Sequence, residues 1–345
     1  MSRRVLARLA ALAIVTGVLS LAPTASAGRD ANATSQAAVT WTPPRTPDGH
    51  PDLQGYWTND TFTPLERPPE LAGKELFTEE EAAAYLKRRL DQFLAQPKDN
   101  IHYDDAVWQG ENYAKEPNRH TSLIVDPRDG RIPPLTPEAE QRAAARAAAR
   151  RSSGPADSAQ SRSLAERCIS WGTVGPPMIP PTYNANLQIL QGRGYVVILN
   201  EMIHDGRIIP LDGRPHVGRN IRQLAGDSRG HWEGDTLVVD TTNFTDKTNF
   251  RGAPRNTRQD IVASDALHVV ERFTRVEADR IRYQFTVEDP ATWTRPWSGE
   301  IPIRRFEGPL FEYACHEGNY ALVHLLNGAR AEEKAVAEAA KKGSR

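Results

Sequence analysis

Histidines interleaved with acids and arginines are the most reactive feature of the sequence, and six of the nine histidines lie after residue 200. A short apolar run ends near residue 200 and is followed by a first cluster, which contains His204, Asp205 and Arg207. Arg214 and His216 follow nearby. Histidine titrates near neutral pH, a carboxylate can orient it, and arginine can hold an oxyanion. The cluster therefore predicts acid/base histidines, an orienting carboxylate and an anion clamp. A turn with ordinary surface ion pairs is the alternative interpretation.

A second cluster, Phe311-Glu312-Tyr313-Ala314-Cys315-His316-Glu317-Gly318-Asn319-Tyr320, combines acids, tyrosines, a cysteine and a histidine. In an extended segment neighbouring side chains point to opposite faces, so Cys315 and His316 would not form a nucleophile–base pair with each other. We interpret Cys315 as structural and His316 as a second acid/base candidate. Glu317 is then its orienting group, and Tyr313 is a proton donor.

Three tryptophans of the same region, Trp171, Trp293 and Trp297, are candidates for the walls of a binding site. Tryptophan beside arginine and threonine suits a sugar face or an aromatic ring. Burial in the core is the alternative for each of them. Arg207 and Arg214 complete the predicted substrate-binding set.

The sequence contains no closely spaced pair of histidine metal ligands and no cofactor-binding motif. The histidines form neither a His-x-His nor a His-x-x-x-His pair, and there is no glycine motif for a nucleotide. We therefore predict no cofactor. A divalent metal held by distant residues such as His204, His216 and His316 stays open as an alternative.

The elements that must position these clusters are mostly short strands. Residues 194–199 and 236–240 are apolar strands, and residues 267–275 and 280–287 alternate across a turn as in a hairpin. A further strand begins at residue 299. Regular strands without helical periodicity between them predict a mainly β fold, an antiparallel barrel or sandwich, with a mixed, helix-containing N-terminal extension.

The N-terminal third is of a different character. Thr78 and Glu81 form the capping box of a helix that continues to Pro97, and Thr136-Pro137 begins an Ala/Arg-rich helix. The sequence thus divides into a signal peptide (1–27), a Pro-rich leader (28–50), a helical and irregular region (51–151), a linker (152–163), a β-rich functional domain (164–330) and a helical or frayed tail (331–345). Residues 102–105, His-Tyr-Asp-Asp, are open as contributors to the site.

The first residues predict export. Arg3, Arg4 and Arg8 precede a short apolar stretch and the small residues Ala25-Ser26-Ala27, which is the pattern of a cleaved secretory signal, and a twin-arginine signal is the alternative. No later window is apolar enough to span a membrane. Cleavage removes three arginines and changes the formal net charge from −1 to −4, which argues against a nucleic-acid partner.

The two cysteines, Cys168 and Cys315, have two open interpretations. An oxidising compartment allows a disulfide that closes most of the β region. Two separate buried thiols are the alternative, because sequence does not report distance.

Two motifs carry a resemblance to a known group of proteins. Residues 226–244, Gly-Asp-Ser-Arg-Gly-His-Trp-Glu-Gly-Asp-Thr-Leu-Val-Val-Asp-Thr-Thr-Asn-Phe, and residues 312–320, Glu-Tyr-Ala-Cys-His-Glu-Gly-Asn-Tyr, resemble an uncharacterised family of exported bacterial proteins. The resemblance implies export and covers most of the mature chain, but it brings no activity with it. The region 267–305 is also loosely similar to half of a calycin-type barrel, and a shared fold would not fix the function.

The leading hypothesis is a periplasmic or secreted enzyme that applies side-chain acid/base chemistry to a small glycoside-like or aromatic molecule, as a lyase, hydrolase or isomerase. A non-catalytic binding protein for an apolar or sugar ligand is the first alternative, and a His-ligated metal enzyme is the second. The expected partner is a small-molecule substrate, and the sequence leaves the oligomeric state open.

Overall fold

The protein is known here from a computed structural model, which describes residues 41–95, 116–152, 154, 156–171, 174–181, 183–247 and 263–343. The predicted signal peptide, residues 28–40 of the leader, and residues 102–105 lie outside the described residues. Ten strands are described: β1 (Gly55–Thr58), β2 (Ile124–Asp126), β3 (Asn186–Gly192), β4 (Tyr195–Asn200), β5 (Gly206–Pro210), β6 (Asp227–Glu233), β7 (Thr236–Thr242), β8 (His268–Glu277), β9 (Arg280–Glu288) and β10 (Trp297–Arg305).

Antiparallel pairing joins these strands into one sheet that curls into a nearly closed barrel. The order is β5-β4-β3-β1-β10-β9-β8-β7-β6, and β2 pairs with β10 outside this path. The prediction of a mainly β, antiparallel fold is confirmed, and of the two open forms, barrel and sandwich, the structure has the barrel-like one. The sheet takes β1 and β2 from the region 51–151, so strands from both sides of residues 152–163 pair with each other.

The seam of the barrel lies between β5 and β6, the two ends of the strand order. Gly230 of β6 makes the close approach feasible, since a Cβ atom there would lie 2.6 Å from Leu211 and 2.8 Å from Ile209. The edges therefore pack through side chains, which protects them from pairing with another chain.

Alternation along each strand separates an apolar interior from a polar outer face. Val239 and Thr241 of β7, Val269 of β8 and Tyr283 of β9 point inward and are fully buried. The residues between them, such as Asp240, stay on the outer face. Burial of these interior side chains favours a curled sheet, because curling brings the apolar inner faces of opposite strands together and removes them from water.

In the part of the chain that the structure describes, three α-helices lie outside the sheet: α1 (Glu79–Leu94), α2 (Pro137–Ser152) and α3 (Tyr320–Gly343). The predicted capping box of α1 is confirmed, with Glu81 N donating to Thr78 Oγ1 at 3.2 Å and Thr78 N donating to Glu81 Oε2 at 2.9 Å. The second predicted helix is also confirmed, and α3 begins well before residue 331. In the described part of the chain, every helix is too short or too polar to cross a bilayer.

Candidate functional site

The outer face of β6 to β9 carries a continuous line of ionisable side chains. Strand register places Arg229 of β6 opposite Asp240 of β7, and His268 of β8 opposite Glu288 of β9. His268 lies diagonally next to Asp240, because Asp240 itself pairs with Val270. Side chains on one face of neighbouring strands are close enough to interact directly. The sheet thus gathers two acids, a histidine and an arginine on rigid backbone.

His216 joins this line from the loop between β5 and β6. Its Nδ1 lies 2.9 Å from Asp227 Oδ2, and its Nε2 lies 2.9 Å from Asp240 Oδ1. Ionised carboxylates only accept hydrogen bonds, so a ring nitrogen that binds one of them does so as a donor. The backbone N–H of Val217 also donates to Asp227 Oδ2, at 3.0 Å. These contacts fix the loop onto the face of the sheet.

His268 and Asp240 form an oriented acid–base pair. Nε2 of His268 lies 2.8 Å from Asp240 Oδ2, while its Nδ1 lies 3.8 Å from Glu288 Oε2. The hydrogen bond and charge of Asp240 raise the pKa of His268 against the opposing effect of burial. Burial alone would raise the pKa of Asp240, but the contacts with His268 and His216 outweigh it and lower that pKa.

The protonation pattern of His268 follows from these contacts. Because Asp240 accepts from Nε2, the neutral ring keeps its hydrogen on Nε2 and presents Nδ1 as the acceptor. This is the logic of a carboxylate that selects the tautomer of a catalytic histidine. The pair can therefore accept a proton from a bound molecule through Nδ1 and return it.

A cavity of about 750 Å³ lies beside the pair, and both His216 and His268 contribute to its wall. Arg219, Arg222 and Asn243 line it as well. Asn243 adopts a left-handed φ of 59°, and its Nδ2 donates to the carbonyl of Val217 at 2.8 Å, which ties the loop to the end of β7. The volume suits a small molecule.

A second cavity of about 590 Å³ collects residues of both predicted clusters. His204 Nδ1 lies 2.9 Å from the carbonyl oxygen of Tyr313, and the rings of His204 and His316 are 6.4 Å apart. A carbonyl only accepts, so Nδ1 of His204 carries the hydrogen and Nε2 is the acceptor in the neutral ring. Glu317 lies in the same wall. The structure thus brings four predicted residues together, but the carbonyl of Tyr313, not Asp205, orients His204.

The backbone and the aromatic surroundings distinguish this second cavity. Ile203 and His204 have left-handed φ values of 63° and 46°, which is a strained conformation for a β-branched residue. Burial and a hydrogen bond with Tyr183 raise the pKa of Tyr313 to about 12. Trp171 meets Tyr183 edge to face, with ring centres 6.1 Å apart. Trp171 is therefore a neighbour of the cavity through Tyr183.

Of the two open interpretations for the cysteines, the structure has the disulfide. Cys168 and Cys315 are bonded, with 5.7 Å between their Cα atoms. Residues 311–319 form no strand, yet burial alternates from Glu312 to His316: Tyr313 and Cys315 are half-buried, whereas Glu312, Ala314 and His316 are exposed. The bond anchors this irregular segment, which carries Tyr313 and His316.

Asp205 is not among the residues that line the second cavity, and its nearest charges are those of Arg207 and His204. Burial raises its pKa, and the charge of Arg207 opposes that rise. Arg207 itself points into the barrel, where Nη1 donates to Glu271 Oε2 at 2.6 Å and Nη2 donates to Glu271 Oε1 at 3.0 Å. The guanidinium of Arg207 is fully engaged by a buried carboxylate and lines neither cavity. Its role in this structure is to stabilise the barrel interior, and it is not placed to hold a substrate.

Three other predicted residues also lie outside the two cavities. Trp293 and Trp297 are core residues with 2% and 0% exposure, and their rings meet edge to face at 5.7 Å. They have no surface to offer a ligand in this conformation, which agrees with the alternative that they pack the core. Arg214 is exposed and forms an ion pair with Asp212, two residues away.

The sequence analysis missed Asp227, Asp240 and His268. Asp227 and Asp240 lie inside the motif of residues 226–244, so the motif itself was the available signal. His268 was counted among the clustered histidines and not singled out, since only strand register shows that it faces Asp240. His216, which was singled out, lines a different cavity from His204 and His316.

Among the residues that the structure describes, no group of three or more His, Cys, Asp or Glu side chains is arranged to hold a metal ion. The proposed set of His204, His216 and His316 does not share one cavity. No protein-family model, no characterised protein and no solved structure matches the chain. Its function must therefore be argued from the geometry of its sites.

Proposed function

We propose that the protein is an exported enzyme, periplasmic or secreted, that applies acid/base chemistry to a small molecule bound beside His268. The observation that supports it is the pairing of His268 with Asp240 on rigid strands at the wall of a 750 Å³ cavity. A lyase, hydrolase or isomerase acting on a glycoside-like or aromatic molecule fits such a centre. The proposal assigns the principal acid/base role to His268, where the sequence alone favoured His204 and His316.

In the proposed reaction, Nδ1 of His268 removes a proton from the substrate, and Asp240 stabilises the imidazolium that forms. His216 holds the other oxygen of Asp240 at 2.9 Å, so the carboxylate cannot rotate away from His268. His216 is therefore a positioning residue. The raised pKa of His268 makes its neutral ring a stronger base.

The test is turnover by purified mature protein on a panel of aryl glycosides, aryl esters and aryl ethers. His268→Gln and Asp240→Asn are expected to lower kcat/KM by a factor of about 10² to 10⁴, the usual contribution of a positioned acid/base group. His231→Gln is the matched control, since His231 is an exposed histidine on β6 that pairs only with Glu233 in the described chain. Equal turnover by the wild type and His268→Gln would refute the assignment.

A binding protein is the second candidate function, and the cavity around His204 favours it. That cavity is lined by Phe311 and Tyr313, and Trp171 and Tyr183 lie behind it. Aromatic side chains around a 590 Å³ space suit a planar or sugar ring. If no panel member is turned over but one binds, and Tyr313→Ala abolishes that binding while His268→Gln does not, the binding function replaces the enzyme.

A further inference from the structure

A cationic cleft extends from the cavity beside His268 toward helix α2. A neighbouring cavity of about 520 Å³ shares Arg222 and Asp265 with the first, so the two lie side by side. Arg142 and Arg146 of α2 line the far end of the cleft, together with Lys247. The cleft thus joins an acid/base pair at one end to a group of arginines at the other.

Backbone carbonyls hold these arginines in place. Arg142 Nη2 donates to the carbonyl of Ala291 at 2.7 Å, and Arg146 Nη2 donates to the carbonyl of Asp246 at 3.1 Å. Carbonyl oxygens are neutral, so they fix a guanidinium without cancelling its charge. Each guanidinium has five N–H donors, and most of them have no acceptor among the residues that the structure describes.

Arg222 lines both cavities and is held by two backbone carbonyls and one carboxylate. Its Nη1 donates to the carbonyls of Phe244 at 3.1 Å and Asp265 at 2.6 Å, and its Nη2 lies 3.0 Å from the Asp265 carboxylate. Arg219, which also lines the first cavity, makes no side-chain hydrogen bond or ion pair with the residues that the structure describes. The charge of Arg222 is therefore partly neutralised by Asp265, whereas the charge of Arg219 has no counter-charge among the described residues.

The charge of the cleft has the opposite sign to that of the chain as a whole. Five permanently cationic side chains line the two cavities, against the two carboxylates of Asp246 and Asp265. The whole chain has a formal net charge of −1. A cavity that concentrates one sign of charge between low-dielectric walls attracts ligands of the opposite sign.

We propose that the molecule bound beside His268 carries an oxyanion group, a carboxylate or a sulfate or phosphate ester, which binds in the arginine end of the cleft. The inference rests on the proposed function and names its substrate class. Guanidinium groups recognise such planar or tetrahedral oxyanions with paired, charge-assisted hydrogen bonds. Binding there orients the substrate, so that its neutral part extends toward His268 Nδ1.

The experiment is calorimetric binding of matched probes at low and at physiological salt. 4-Nitrophenyl glucuronide and 4-nitrophenyl glucoside differ only in the carboxylate, while 4-nitrophenyl sulfate and 4-nitroanisole, an uncharged aryl ether, test the ester. At least one anionic probe is expected to bind tenfold or more tightly than its neutral partner, with the preference shrinking as salt rises. The probe pair that shows the preference identifies the oxyanion as a carboxylate or as an ester of the sulfate type.

Variants separate this inference from the proposed function. Arg146→Gln, Arg222→Gln and Arg219→Gln should each reduce the anion preference, and Arg219→Gln does so without removing a side-chain hydrogen bond or ion pair between described residues. Arg330→Gln on α3 is the control and should keep it. His268→Gln should lose turnover and retain the preference. Equal affinity for charged and neutral probes, no binding of any anionic probe, or an unchanged preference in all three arginine variants would overturn the inference.

Discussion

The ion pair between Arg207 and Glu271 inside the barrel allows the sharpest test of the packing. The two side chains are 9% and 0% exposed, two hydrogen bonds of 2.6 and 3.0 Å join them, and Tyr283 donates a third to Glu271 at 2.8 Å. Arg207→Met removes the cation and leaves an uncompensated carboxylate in the interior. Breaking one side of a buried pair costs about 3–5 kcal/mol in the free energy of unfolding.

That loss should be measurable by urea unfolding and by calorimetry of the wild type and the variant. For a domain of this size it corresponds to a fall in Tm on the order of 10 °C. The double variant Arg207→Met/Glu271→Leu removes both charges and should recover most of the stability, because hydrophobic replacement of a buried pair is often close to neutral. A single variant that loses less than about 1 kcal/mol, the scale of a surface pair, would refute the assignment of this pair to a dry interior.

Three further predictions concern other parts of the chain. His268 has a raised pKa and Asp240 a lowered one, so their pair should stabilise the protein most between these two values. The difference in unfolding free energy between wild type and Asp240→Asn should therefore fall as pH rises through the pKa of His268, and again as pH falls through that of Asp240. Replacing both Cys168 and Cys315 by serine opens a link across a sequence separation of 147 and should cost up to about 5 kcal/mol in denaturant melts. Thr78→Ala removes the cap of α1 and should cost about 1 kcal/mol by the same assay.

Local signals in the sequence were enough to predict several elements. The capping box of Thr78 and Glu81 depends on residues three apart, and the β8–β9 hairpin depends on alternation around one turn. Both were found because all the interactions involved are close in sequence. Strand β1 was missed for the opposite reason, since four residues give too short a pattern and its partners lie in β3 and β10.

The candidate site shows the same limit. His204 was predicted in one cluster and Tyr313 and His316 in another, and their meeting in one cavity depends on a contact across 109 residues. Asp240 and His268 are 28 residues apart, and only the register of β7 against β8 makes them neighbours. Trp293 and Trp297 carried no signal that could separate a binding wall from a core, because both roles select a large apolar side chain.

The position of β1 in the sheet has a consequence for the order of events during synthesis. This strand lies between β3 and β10, and its residue Trp57 pairs with Arg305, nearly 250 positions later. The ribosome makes β1 early, yet one of its two neighbours emerges only when most of the chain is complete. The two halves of the sheet, β5-β4-β3-β1 and β10-β9-β8-β7-β6, therefore join only once β10 is made. A contact of such high sequence separation is slow to form. Until that moment β1 has an unsatisfied edge, and a nascent chain cut before residue 297 would retain it permanently.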